Sequence, residues 1–267
     1  MHPCSALPLL IAVAWAAPNK RPADVGQLDE IARELDQNEL LEKPFVRFTN
    51  VAESGKVVAG HQLQLSCEAI GIPPPAISWT LNGAPIVQGL HDNDRNLVEK
   101  VQNMGLTTIQ NGVTISRLSL PCIDEKHEGV FACVADNGFT QIVSKAVVEV
   151  SQGVEPARCD KAKKDESAAQ IYMWTDGRFE QTGAAAQLYC RAKGSPTPVI
   201  SWLDVEHNPI TADQTFEPLP NGDLLIKSAG WDQIGVYTCI AKNAHGEDKA
   251  EIFFYPTEKE DVAAKVS

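Results

Sequence analysis

The sequence predicts an all-β chain made of two tandem sandwiches of antiparallel strands, and three observations carry that prediction. First, the chain repeats itself. Cys67-Glu-Ala-Ile-Gly71-Ile-Pro73-Pro-Pro75-Ala-Ile77-Ser-Trp79 returns as Cys190-Arg-Ala-Lys-Gly194-Ser-Pro196-Thr-Pro198-Val-Ile200-Ser-Trp202, with cysteine and tryptophan twelve residues apart both times. Second, Gly129-Val-Phe131-Ala-Cys133-Val-Ala135-Asp-Asn137 returns in the same order as Gly235-Val-Tyr237-Thr-Cys239-Ile-Ala241-Lys-Asn243. Landmarks recurring in the same order are far more specific than any one of them. Third, Leu63, Leu65 and Cys67 alternate with Gln62, Gln64 and Ser66, the period of a half-buried strand, and Leu188 with Cys190 matches them in the second copy.

The elements follow in chain order. Residues 1–17 read as a secretory signal: Ala6 to Ala14 is apolar, and Ala14-Trp15-Ala16 places small residues at the −3 and −1 positions of a cleavage site. Its n-region carries only His2, but Pro3 and Pro8 would resist the alternative of a buried strand. Removing Cys4 with the signal leaves six cysteines, an even number that an oxidising destination turns into three disulfides by default. Residues 18–43 form an acidic arm in which Leu28, Ile31, Leu35 and Leu40 recur near helical spacing among Asp29, Glu30, Glu34 and Asp36. Lys20-Arg21 in that arm is a candidate dibasic processing site.

Residues 44–151 make the first sandwich, 152–165 a linker, 166–257 the second sandwich and 258–267 a charged tail. A tryptophan packed on an inter-sheet disulfide is the hallmark of immunoglobulin domains, and the spacing fits. The expected pairs are therefore Cys67 with Cys133 and Cys190 with Cys239, with Trp79 and Trp202 buried against them. The Gly-x-Pro-x-Pro turn after each first cysteine holds φ near −65° twice and suits an extended loop between strands. The copies differ in length, with 66 residues between the cysteines of the first and 49 in the second. The extra segment follows Trp79, is rich in Asn, Asp and Gly, and is expected to form edge strands or a long loop. The corner before the last cysteine also differs. Tyr237 supplies the usual hydroxyl in the second copy, whereas Phe131 and His127 replace the usual Tyr and Asp in the first, with some loss of local hydrogen bonding.

Composition narrows the functions. The chain has 267 residues, 43% of them hydrophobic, and a formal net charge of −12. That is long enough for two cores, and acidic enough to argue against nucleic acid or an anionic membrane as the main partner. No apolar run approaches the ~18–20 residues that span a bilayer, so the mature chain is expected to be secreted and without a transmembrane anchor. Enzyme signatures are missing: there is no Gly-x-Ser-x-Gly, no His-Glu-x-x-His and no phosphate loop of the usual spacing. With no Cys-x-x-Cys and scattered histidines, neither a metal nor another cofactor is expected. No Asn-x-Ser/Thr sequon occurs, so N-glycosylation is not expected either.

The residues resemble the I-set immunoglobulin domains through Cys-x-Ala-x-Asn in both copies. The chain is similar, more narrowly, to the small secreted two-immunoglobulin proteins of invertebrates, the nematode zwei Ig domain family and the insect ecdysone-inducible insulin-like-peptide-binding proteins. Met173-Trp174-Thr-Asp176-Gly-Arg178-Phe179-Glu-Gln-Thr-Gly183, Asn221-Gly222-Asp223-Leu224-Leu-Ile226, the run Trp231 to Asn243 and the closing Phe254-Tyr255-Pro256 carry the likeness. The nematode resemblance implies neuronal secretion and maintenance of axon and cell-body position through cell-surface receptors, adhesion proteins or matrix. The insect resemblance implies binding of insulin-like peptides. The further pair Cys122 and Cys159 looks like the nematode members. Cys122 precedes inward Ile123 and so points off the core, and the nine residues from Val150 to Cys159 span ~20–30 Å when partly extended. A bridge between these two cysteines, an intermolecular disulfide and two free thiols are the alternatives.

Two stretches are candidate partner contacts. Arg158, Lys161, Lys163 and Lys164 cluster in the linker, diluted by Asp160, Asp165 and Glu166, and read either as a glycan-touching patch or as a solvated linker. Ile171-Tyr172-Met173-Trp174 has two apolar faces. Simple alternation puts Tyr172 and Trp174 together, either exposed for a peptide or buried at the interdomain junction. The chain is expected to be a monomer.

Overall fold

The computed structural model describes residues 43–89, 96–153, 159 and 166–258. The first sandwich pairs β1 (Phe45–Asn50), β3 (Leu63–Ile72) and β6 (Asn111–Leu120) in one layer. The other layer runs β2 (Gly55–Val58), β8 (Gln141–Ser151), β7 (Gly129–Asp136), β4 (Ala76–Leu81) and β5 (Ala84–Ile86). In the second sandwich β16 (Gly246–Thr257), β15 (Gly235–Asn243) and β12 (Val199–Leu203) form one layer. β10 (Ala186–Leu188), β14 (Leu224–Ile226) and β13 (Phe216–Pro218) form the other. The long β9 (Ser167–Gln181) opens this domain, pairing antiparallel with β11 (Cys190–Ser195) and then parallel with β16.

Each core is built as the alternation requires. Cys67, Trp79 and Cys133 are fully buried in the first, Cys190, Trp202 and Cys239 in the second. The structure pairs Cys67 with Cys133, Cys190 with Cys239, and Cys122 with Cys159, the last with Cα atoms 5.7 Å apart. The Trp79 indole N–H donates to Ser116 Oγ at 3.0 Å, and that of Trp202 to the Gly222 carbonyl at 3.0 Å, so neither buried ring leaves its polar end unmatched.

The repeated motif residues do repeated work. Asn137 Nδ2 donates to the carbonyls of Phe45 and Ile72, and Asn243 Nδ2 to those of Ser167 and Pro196, so each stitches its domain's first strand to the loop before the tryptophan strand. The same crossing explains Gly71 and Gly194. A Cβ there would lie 2.8 Å from the Phe45 carbonyl or 3.1 Å from that of Ala168, so only glycine lets the strands close.

The segment after Trp79 in the first copy supplies a short edge strand, as expected: β5 pairs antiparallel with β4. A later described part of it folds as a short helix, α1 (Leu97–Gln102), which the sequence did not lead one to expect. One sequence expectation needs correction. The loss of hydrogen bonding expected at the first copy's corner is made good locally. The Asp124 amide donates to His127 Nδ1 while the Asp124 carboxylate caps the Lys126 amide, and these replace the bond that Tyr237 makes to the Gln233 carbonyl.

The domains are not beads on a linker. β6 pairs antiparallel with β9, from Asn111 opposite Phe179 to Ser116 opposite Met173, so one layer runs unbroken through both sandwiches. β9 lies where a fourth strand of the first sandwich would. It also completes that sandwich's core, since Tyr172, Met173 and Tyr189 of the second domain pack into the cluster around Trp79. There the Ile77 amide donates to Met173 Sδ at 3.3 Å, and Ser116 Oγ, holding the Trp79 indole, donates to the Tyr172 carbonyl at 3.0 Å.

The first sandwich therefore lacks a finished core without the second. Met173→Ala should lower the stability of the first domain by about 2–5 kcal/mol although the residue belongs to the second. Residues 44–151 expressed alone should unfold at a lower temperature than residues 166–257 alone. Calorimetry of the separate and joined segments checks this, and an isolated first domain as stable as the second would contradict it.

Candidate functional site

The fused layer has one covered and one open face. On the open face, cross-strand partners form a single row through both domains: Arg47, Ile70, Val113, Gly177, Phe253 and Val236. Partners directly opposite on a sheet share a face, so the row is apolar from Ile70 onward and narrows at Gly177, where no side chain rises. Beside it stands an aromatic cluster centred on Tyr255, whose ring lies 5.9 Å from Phe179, 5.8 Å from Trp231 and 6.2 Å from Phe253. Phe253 is 41% exposed and Trp231 47%. Strand periodicity forces this display: Ile252 and Phe254 point into the second core, so Phe253 and Tyr255 must point out.

Charges border the apolar strip. The Arg117 guanidinium sits 5.2 Å above the Trp174 ring, and Asp176 lies near Glu68. Partial burial, reinforced by the Glu68 charge, holds the Asp176 carboxyl above the ordinary carboxylate range.

Beneath the junction lies a second polar group, fully buried. Glu99 of α1 accepts a hydrogen bond from Arg178 Nη2 at 2.5 Å through one carboxylate oxygen and from the Gln187 amide at 2.7 Å through the other. Arg178 also bonds Glu180 at 2.7 Å, and Glu180 accepts the amides of Ile109, Gln110 and Gln181. Asn103, closing α1, exchanges hydrogen bonds with both the amide and the carbonyl of Ala185. α1 thus clips the first domain onto the second through buried polar groups. Two carboxylates share one guanidinium away from water, and burial, the larger cause, pushes the Glu99 carboxyl up to about 7 against the opposing pull of Arg178. A similar buried pair, Arg191 with Asp223, lies alongside at 3.0 Å.

The sequence-derived contact residues fare unevenly. Tyr172 is 2% exposed and lies in the first core, so it offers no surface to a partner. The pairing of Tyr172 with Trp174 on one face also fails. A register shift between β9 and β11 at Tyr172 interrupts the alternation, sending Tyr172 and Met173 to the first core and Ile171 and Trp174 to the second. Trp174 is half-buried under Arg117. Arg158, Lys161, Lys163 and Lys164 lie outside the described residues. The outward aromatic set of Phe179, Trp231, Phe253 and Tyr255 escaped the sequence reading, although Ile252-Phe253-Phe254-Tyr255 carries the alternation that would have exposed it. A cavity of ≈ 410 Å³ at the junction, lined by Tyr172, Arg191, Lys193, Pro198, Trp202 and Pro220 among others, has polar groups already engaged within the protein. Among the described residues no cluster of His, Cys, Asp and Glu is disposed to hold a metal ion, and no helix is long and apolar enough to cross a membrane.

Glu99 makes the clip pH-dependent in a definite direction. Its folded pKa lies above the ordinary 4.5, so its contribution is fully present below about pH 4.5 and is lost as pH rises through about 7. Thermal unfolding followed between pH 5 and 8 should show stability falling through this window from this group, and Glu99→Gln should flatten that slope. An unchanged slope in the variant would contradict the assignment.

Comparison with known proteins agrees with this architecture. Residues 178–254 match the immunoglobulin I-set domain and residues 43–137 a further immunoglobulin domain family. The chain is 36% identical to zwei Ig domain protein zig-4 of Caenorhabditis elegans over 86% of this chain and 87% of that protein. It is 34% identical to zig-3 of the same organism over 94% and 98%. The neural/ectodermal development factor IMP-L2 of Drosophila melanogaster is 27% identical over 89% of this chain and 86% of its own length. The crystal structure of IMP-L2 superposes with a TM-score of 0.62 at 24% identity, covering 82% of this chain and 97% of that one, which shows the same fold. Identity at this level across nearly the whole of both chains makes the protein a member of the zwei Ig domain family.

Proposed function

We propose that this is a secreted, non-enzymatic extracellular binding protein that keeps axons and neuronal cell bodies in position by engaging a cell-surface or matrix protein on the open face of its fused sheet. One observation carries the reading: an apolar row with an aromatic cluster, displayed across two domains that are locked by strand pairing. Exposed aromatic residues grouped on a stiff surface and bordered by charge are the usual anchors of protein interfaces. A rigid platform loses little conformational entropy on binding. The zwei Ig relatives support an extracellular setting, and the three disulfides suit an oxidising one. The protein acts as a monomer in this reading, because β9 already closes the edge that β6 would otherwise present.

A second reading, capture of insulin-like peptides, is favoured by the form of the same face. The strip from Ile70 to Val236 is narrow and apolar, and it would accept one amphipathic helix of a small peptide.

Phe253→Asp should weaken partner binding about tenfold or more while leaving the unfolding temperature nearly unchanged, since the side chain already faces solvent. Wild type and variant are to be compared in two assays, capture on neuronal surfaces and equilibrium binding to insulin-like peptides. Loss on neurons alone supports the first reading, and loss of peptide binding alone the second. Unaltered binding in both would remove this face from the function.

A further inference from the structure

Helix α1 is built inside out. Its buried residues are polar: Glu99, with Asn96 and Asn103 at its ends, faces the junction. Its apolar residues face outward. Leu97 is 61% exposed, Val101 68% and Met104 65%, with Val98 and Leu106 beside them. Positions 97, 101 and 104 fall on one side of a helix, so these side chains form one patch. A sequence that spends apolar residues on solvent and buries its charge has reversed the rule for surface helices, and the buried half is explained by the clip to the second domain. The exposed half is not.

The chain itself supplies an occupant. Phe45 opens β1, and its carbonyl accepts Asn137 Nδ2 at 3.1 Å. Asn137 Oδ1 in turn accepts the Phe139 amide at 3.0 Å, and the Phe139 ring lies 5.2 Å beneath Lys100 Nζ of α1. The residues before Phe45 therefore leave the sandwich one short loop away from the patch. Those residues include the one other amphipathic segment picked out in the sequence, Leu28, Ile31 and Leu35 among Asp29, Glu30, Glu34 and Asp36. The eight residues from Leu35 to Lys43 reach ~25 Å when extended. Charge agrees as well, since the segment is acidic and Lys100 lies on the same side of α1 as Leu97, Val101 and Met104.

We propose that residues 28–40 dock on the exposed face of α1 as an intramolecular strap. Size favours this occupant over a second copy. Five aliphatic side chains on a two-turn helix fall well short of the ~800 Å² per partner that a stable dimer buries. A tethered segment needs far less, because its effective concentration is on the order of millimolar. The strap presses α1, and with it Glu99, into the junction, so the acidic arm controls how firmly the two sandwiches are clipped.

Hydrogen exchange of the secreted full chain tests this, comparing wild type, an arm variant (Leu28→Ser, Ile31→Ser, Leu35→Ser) and a patch variant (Val101→Ser, Met104→Ser). The arm variant should speed exchange across residues 97–106 about tenfold and leave β3 and β15 unchanged. The patch variant should speed exchange across residues 28–40 by a similar factor. The patch substitutions fall on exposed side chains, and both proteins should keep their near-ultraviolet dichroism. Unchanged exchange at 97–106 in the arm variant overturns the strap. So does a dimer seen by light scattering, or binding to phosphatidylcholine vesicles, that is lost in the patch variant and retained in the arm variant.

Discussion

The pairing of β6 with β9 is the constraint on which the rest of this molecule depends. It replaces a missing edge strand of the first sandwich with the opening strand of the second. A strand edge left open would be a site of uncontrolled pairing. Closing it with the next domain disposes of that hazard and removes the freedom of the interdomain hinge. Two immunoglobulin domains that would otherwise swing become one platform, and its open face gains a continuity that neither has alone.

Several local features follow from that pairing. Because β9 lies against the first core, its side chains must serve two interiors, and the register shift at Tyr172 divides them between the two. Because β9 takes the place of an edge strand, the later part of the segment after Trp79 is free to do something else, and forms α1. Because α1 spans the junction, its inward side chains meet backbone amides and the guanidinium of Arg178 rather than apolar surface. Removing water from two carboxylates and one guanidinium is costly unless every lone pair finds a donor. The amides of Ile109, Gln110, Gln181 and Gln187 donate to the carboxylates, while Arg178 Nε is left buried without a partner among the described residues. The cluster serves specificity of docking better than it serves raw stability.

The disulfide between Cys122 and Cys159 acts in the same sense from the other side. It fastens the chain leaving β8 back onto the first sandwich and closes a loop of 37 residues, a constraint of about 3–4 kcal/mol in the chain-entropy model. Strand pairing and the buried ion cluster thus hold the domains by two independent chemistries, the disulfide ties the linker to the first of them, and a partner on the open face meets a surface that is already in place.

What the sequence by itself determined is everything that repeats or alternates. The cysteine–tryptophan spacing specified two sandwiches, their pairing within each domain and the burial of Trp79 and Trp202, because those contacts are fixed by the strand period and by a motif that occurs twice. The junction was decided by the tertiary structure alone. Nothing local in Asn111–Ser116 says that its open edge will meet residues 173–179 rather than solvent, since a strand's hydrogen-bonding groups are the same whatever the side chains. Alternation put Tyr172 and Trp174 on one face, and one unpaired residue in the ladder was enough to reverse that. Glu99 is buried and Leu97 exposed, the reverse of the usual disposition of a charge and an aliphatic, because the surface that α1 meets is made of amides and a guanidinium. Side-chain period is a property of the chain, whereas the environment of each face is a property of what the rest of the fold brings against it.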